Sequence, residues 1–100
     1  MSDQKLWLHL RELCEDLELP QDICIELVEL GVVQPYGDRP EDWQFDITSV
    51  SIVRRAIRLR HDLDLEWSAV AMVVGLLEER DQLRAELELM EQRLNRFLAD

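Results

Sequence analysis

One hundred residues at 11.8 kDa make one small folding unit, too short for two ordinary domains. Apolar residues are 47% of the chain, enough for a core, which argues against wholesale disorder. Eleven Lys and Arg against 22 Asp and Glu give a net charge of -11, which repels phosphate backbones and attracts basic surfaces.

The longest uncharged run, Trp67 to Leu77, has eleven residues. A membrane span needs about 20, so none is expected. The opening Met1-Ser2-Asp3-Gln4-Lys5 lacks the basic-then-apolar order of a secretory signal, so a cytoplasmic location is expected. Cys14 and Cys24 are too few for a disulfide framework and read as reduced thiols.

Enzyme chemistry finds little support. His9 and His61 lie far apart, no C-x-x-C, H-E-x-x-H or G-x-G-x-x-G pattern occurs, and three glycines leave no phosphate-cradling loop. No metal or cofactor is called for. His9 and Cys14, five residues apart, have the types of a nucleophilic pair. The blander reading places Cys14 in the core of a helix that starts near His9, since free cysteines are among the most buried residues.

In chain order, Leu6, Leu10, Leu13 and Leu17 fit a helical stripe, while Leu6, Leu8 and Leu10 fit a strand. The expectation is an extended segment at 5–8 and a helix at 10–17. Leu19-Pro20 breaks it, because proline disfavours helix in the residue before it. A second helix spans Pro20 to Leu30, and Gly31, free to take positive φ, stops it. Its core stripe is Ile23, Leu27 and Leu30. Asp22, Glu26 and Glu29 form an acidic stripe with no basic residue in it. Cys24, Ile25 and Val28 occupy a third, apolar sector. An acidic ridge beside extra apolar surface suits a protein-binding face.

Val32-Val33, the turn-rich Pro35 to Pro40, and Trp43-Gln44-Phe45 read as a small hairpin, or wing. Trp43 and Phe45 share one face and should pack on the helices. The wing carries Asp38, Glu41 and Asp42. From Glu12 to Asp46 there are eleven acidic residues and one basic residue, Arg39. Asp46 is a good N-cap for a third helix at 47–61, whose inner side is Val50, Val53 and Ile57. Arg54, Arg55, Arg58 and Arg60 crowd this helix and are expected to pair with nearby acids.

After a turn at 61–66, a long helix should run from Trp67 to Leu98, about 48 Å at 1.5 Å per residue. Val73, Leu76, Leu83, Leu87, Met90, Leu94 and Phe97 follow steps of three and four, with Arg80 the one break. This is a heptad seam, and a coiled-coil homodimer is the economical way to cover it. The competing reading folds the helix back on its own domain. Residues 1–66 are thus expected to form a partner-binding domain and residues 67–100 a dimerisation helix.

Helix, turn, helix, wing, helix and long helix together resemble the MerR-like winged helix-turn-helix dimers. More closely, Glu29-Leu30-Gly31-Val32-Val33-Gln34-Pro35, Trp43-Gln44-Phe45-Asp46, Arg54 through Leu63, and Gln92-Arg93-Leu94-Asn95-Arg96-Phe97 resemble the chaperone-modulatory CbpM family. The likeness spans residues 10 to 98. It implies a mainly α, MerR-like fold with a short β wing and an antiparallel pair of long helices. It also implies binding to the J-domain of a DnaJ-type co-chaperone (CbpA type), inhibition of its stimulation of DnaK, and reduced DNA binding by that co-chaperone. The residues expected to meet the J-domain are Asp22, Ile25, Glu26, Glu29, Asp38, Glu41 and Asp42. The sequence departs from the usual pattern at Glu18, where a glycine is expected, at Pro20, and at His9.

The alternative is a MerR-like DNA-binding regulator, reading with residues 20–30 and a wing at 35–43. Base and phosphate contacts favour Arg, Lys, Asn or Gln. Helix two offers Gln21 and three carboxylates, which argues against direct nucleic-acid binding.

Overall fold

The computed structural model of the chain describes residues 7–99. In order these are β1 (Leu8–His9), α1 (Leu10–Leu17), α2 (Gln21–Glu29), a 3-10 turn (Pro40–Asp42), β2 (Gln44–Phe45), α3 (Ile47–Leu63) and α4 (Trp67–Ala99). The architecture is mainly helical with a small sheet and a long last helix, as the sequence predicts.

Both α1 and α2 end in the same backbone device. The Leu19 N–H donates to the Cys14 carbonyl and the Glu18 N–H to the Glu15 carbonyl. Likewise the Val32 N–H donates to the Leu27 carbonyl and the Gly31 N–H to the Val28 carbonyl. This double closure requires a left-handed residue just past the helix. Gly31 supplies it at φ 81°, and Glu18 supplies it at φ 55° despite its side chain. Pro20, with extended backbone, then stands directly before α2. The departure noted at Glu18 is therefore real, and it is absorbed at one residue.

The wing differs from its sequence reading. Val32 and Val33 form no strand; both are buried in the core. The bridge across the loop is instead Tyr36 to Gln44, with hydrogen bonds of 2.9 Å in each direction. The other edge of β2 pairs antiparallel with β1, Leu8 opposite Phe45 and His9 opposite Gln44. The apolar pair at 32–33 satisfies core burial, so hairpin pairing shifts outward to the next residue that can reach β2. The extended segment expected at 5–8 appears at Leu8–His9; residues 5 and 6 lie outside the described residues. Gly37 permits the turn. Its φ is 117°, and a Cβ there would come within 2.6 Å of the Asp42 carbonyl oxygen.

Phe45 and Leu27 are fully buried at the centre of the core. Around them sit Leu10, Leu13, Cys14, Cys24, Val32, Val33, Trp43, Val50, Val53, Ala56, Val70 and Val74. Trp43 meets Phe45 edge to face, with centroids 6.2 Å apart, a favoured aromatic geometry. The inner face of α2 is Cys24 and Leu27. The expected stripe of Ile23, Leu27 and Leu30 is corrected: Ile23 is half-buried and Leu30 is exposed. Helical rotation places Cys24 and Leu27 one turn apart on the same line, and the small Cys24 sits where α1 crosses.

Asp46 caps α3, its Oδ1 accepting from the Ser49 N–H at 3.0 Å. The helix extends to Leu63, two residues beyond the expected end, and closes through the left-handed Asp64, φ 55°. At the joint with α4, Arg60 donates to the Leu65 carbonyl at 2.6 Å and lies 4.9 Å over the Trp67 ring. Val70 and Val74 bury α4 against the core, but from Glu78 to Ala99 every residue is exposed. The helix does not fold back on its own domain.

Candidate functional site

The sequence-predicted partner residues lie on α2 and on the wing. On α2, Asp22 and Glu29 are exposed and Glu26 is half-buried. Asp22 sits in the first turn, where the helix dipole favours a carboxylate, and its Oδ1 accepts from the Ile23 N–H at 3.0 Å. Among the described residues, none of these three carboxylates is in an ion pair. Their charge is free to act on something outside the chain.

Beside the ridge a cleft of about 580 Å³ opens between the start of α1, the first turns of α2 and the wing. Its lining includes Leu10, Arg11, Gln21, Ile25, Pro40 and Glu41. The fold thus brings together Ile25 and Glu41, sixteen positions apart in sequence, in one concave surface of mixed polar and apolar lining. Asp38 is exposed on the wing, outside this cleft. Glu41 and Asp42 flank Arg39, at 3.7 and 3.5 Å. The basic residue of that segment is therefore spent on two wing acids, and among the described residues the carboxylates of both α1 and α2 are left without an ion pair. The salt bridges themselves are well exposed and worth little to stability.

Sequence reasoning missed Arg11 and Gln21 as cleft residues. Arg11 is exposed, and among the described residues it makes no ion pair, although Glu12 and Glu41 share the cleft with it. No local pattern marks it; only the approach of the wing to α1 does. His9 and Cys14 form no catalytic pair. His9 is exposed on β1, its N–H donating to Glu12 Oε1 at 2.8 Å, while the Cys14 Sγ is buried against Cys24. No group of three His, Cys, Asp or Glu among the described residues could hold a metal ion.

The α3 arginines depart from expectation. Of these, and among the described residues, only Arg55 pairs with an acid, Asp81, at 3.7 Å. Arg60 serves the α3–α4 joint. Arg54 and Arg58 are exposed without an ion pair among the described residues.

The second candidate surface is the seam of α4. Leu76, Leu83, Leu87, Met90, Leu94 and Phe97 are all exposed, Phe97 at 77%. Val73 is half-buried by its own domain. Leu76, Leu83 and Leu87 line a shallow groove of about 350 Å³ together with Glu79, Arg80 and Arg84. Arg80, the break in the heptads, hydrogen-bonds Asp81 at 3.1 Å. That bond, ahead of the Coulombic pull of Arg80 and Arg55, holds the Asp81 carboxyl below its ordinary range. Among the described residues, no helix is long and apolar enough to cross a membrane.

Comparison with known proteins places these features in a lineage. The family described as MerR HTH family regulatory protein matches residues 8–92. A relative from Pseudomonas putida (strain GB-1), named chaperone modulatory protein CbpM, is 46% identical over 90 residues, covering 90% of this chain and 89% of the relative. The protein of the same name from Pseudomonas putida (strain F1) is 43% identical over 91% of this chain and 90% of its own. Another, from Salmonella paratyphi B, is 43% identical over 99% of this chain and 98% of its own.

Proposed function

The chain belongs to the MerR HTH family and, within it, to the chaperone-modulatory CbpM proteins, and from that premise we propose that it works by binding rather than catalysis. Its partner is the J-domain of a DnaJ-type co-chaperone of the CbpA type. The acidic face of α2, with Ile25 and the neighbouring cleft, covers a basic helix of that J-domain. Occupying that helix blocks stimulation of DnaK and lowers the co-chaperone's own DNA binding. The seam of α4 joins two copies into a homodimer, and the chain acts in the cytoplasm.

One observation carries this reading: Asp22, Glu26 and Glu29 stand together on α2 and, among the described residues, none of them is paired with a cation. In a DNA-reading relative the equivalent helix would face phosphates, and three unpaired carboxylates there would be repelled. The same charges steer a basic protein surface into contact and make the complex sensitive to salt. Half-buried Ile25 supplies apolar area beside the acidic ridge, where contacts that exclude water give binding energy.

The test is charge reversal. Asp22→Lys with Glu26→Lys should weaken binding of the isolated J-domain by about tenfold or more, since two favourable pairings become repulsions. The fold and oligomeric mass should persist, because neither side chain belongs to the core; losing the first-turn carboxylate of Asp22 should cost only about 0.3–1 kcal/mol. Unchanged affinity in the folded variant would remove α2 from the interface.

A further inference from the structure

The two cysteines are buried beneath the proposed partner face, and the fold places them against each other. Cys14 comes from α1 and Cys24 from α2, and their side chains are 4% and 3% exposed. Both are free thiols, and the Sγ atoms lie 2.6 Å apart, inside ordinary sulfur contact. They are the only cysteines of the chain, so neither has an alternative partner within it. We propose that this pair is an oxidation site, at which hydrogen peroxide joins Cys14 to Cys24 as an intramolecular disulfide pinning α1 to α2.

The chemistry closes with a peroxide as the sole oxidant. One cysteine, as its thiolate, attacks a peroxide oxygen; the O–O bond breaks, a sulfenic acid forms, and hydroxide leaves and takes up a proton as water. The second sulfur then attacks the sulfenic sulfur. An S–S bond forms, the S–O bond breaks, and the hydroxyl leaves as a second water with the second thiol's proton. The dithiol loses two electrons and the peroxide gains them. Because the second sulfur is already in contact with the first, it intercepts the sulfenic acid before oxidation proceeds to the irreversible acids. Burial pushes the Cys24 thiol up to about 12, helped by its contact with Cys14, so the dithiol is the resting form and reacts slowly.

The bond would close a loop whose ends are ten positions apart across the Glu18 turn. It cross-links two helices already packed together, so it restricts the unfolded chain and leaves the folded face in place. Asp22 and Glu26 lie two positions to either side of Cys24, on the ridge this link would anchor. The inference is independent of which partner that ridge binds.

The test uses the reduced full-length chain, treated with hydrogen peroxide, quenched, unfolded, alkylated and digested with trypsin. Arg39 precedes a proline, so both cysteines fall in the peptide from Glu12 to Arg54, which contains no methionine to confuse the mass. The expected result is that peptide about 2 Da lighter than the dithiol and refractory to alkylation. Cys14→Ser should abolish that species. Oxidised wild type should melt several degrees above the reduced form, and Cys14→Ser should show no such gain. The proposal is overturned if both thiols still alkylate after a treatment that fully oxidises a free dithiol. It is equally overturned if the peptide gains oxygen, or if the link forms between chains.

Discussion

Glu18 holds a conformation that glycine adopts at far lower cost. At φ 55° its Cβ crowds the following carbonyl, a penalty of roughly 1 kcal/mol, and the closing hydrogen bonds of α1 are backbone bonds that any residue can make. Glu18→Gly is therefore expected to stabilise the chain by about 0.5–1 kcal/mol, offset in part by a freer unfolded state. Urea unfolding checks this, and a destabilised variant would mean that the Glu18 side chain does something the fold needs. Cys24 makes the opposite kind of prediction. Burial, then the Cys14 contact, raises its thiol from 9.0 to about 12 in the folded state. A group whose pKa is raised by folding contributes stability that is intact below its unfolded pKa and lost as pH climbs through the folded one. Stability should thus fall between pH 9 and about 12 more steeply in wild type than in Cys24→Ala, measured under reducing conditions. Parallel profiles would contradict the burial of this thiol. Glu18 is legible in the sequence as a missing glycine and Cys14 as a core candidate, whereas Cys24, read as part of an apolar sector outside the core stripe, proves to be buried. The contact between the sulfurs is not legible there, because ten positions of chain and a turn separate them.

At the level of elements, periodicity told most where one helix face is buried and least where tertiary packing decides. Asp46 before an apolar run marked the start of α3, and the cap hydrogen bond is there. The wing was harder. Val32-Val33 has strand-like composition, but the core claims both side chains, and the ladder uses Tyr36 and β1 instead. On α2 the expected stripe is misplaced because the buried line runs through Cys24 and Leu27; Leu30 keeps helical backbone, its N–H donating to the Glu26 carbonyl, yet comes out exposed. α4 is the clearest case. Its steps of three and four hold to the end of the helix, yet its own domain covers only the first two to three turns. Burying an exposed Leu fully is worth about 1.5–3 kcal/mol, so in the proposed homodimer Leu83 and Leu87, which are exposed on this chain, would supply much of the association energy. Leu83→Glu with Leu87→Glu should therefore convert a dimer to a monomer in sedimentation analysis while thermal unfolding of the N-terminal half persists. A variant that keeps its dimeric mass would move the interface elsewhere.

Across the whole molecule, charge is unevenly assigned. The chain carries -11, and the N-terminal half holds acids on α2 that are in no ion pair among the described residues, while Arg54 and Arg58 lie exposed on α3. The acidic bias, its location and its lineage were readable from residues alone. The cleft was not, since Arg11, Gln21, Ile25 and Glu41 meet only when the wing folds beside α1 and α2. The most direct measurement of the central claim is chemical-shift mapping of the isotope-labelled full chain during titration with an unlabelled J-domain of the CbpA type. The account predicts perturbations concentrated on Asp22, Ile25, Glu26 and Glu29 and on the cleft around Arg11 and Glu41, weakening as salt is added. Perturbations confined to α3 or the seam of α4, or none at saturating J-domain, would contradict it.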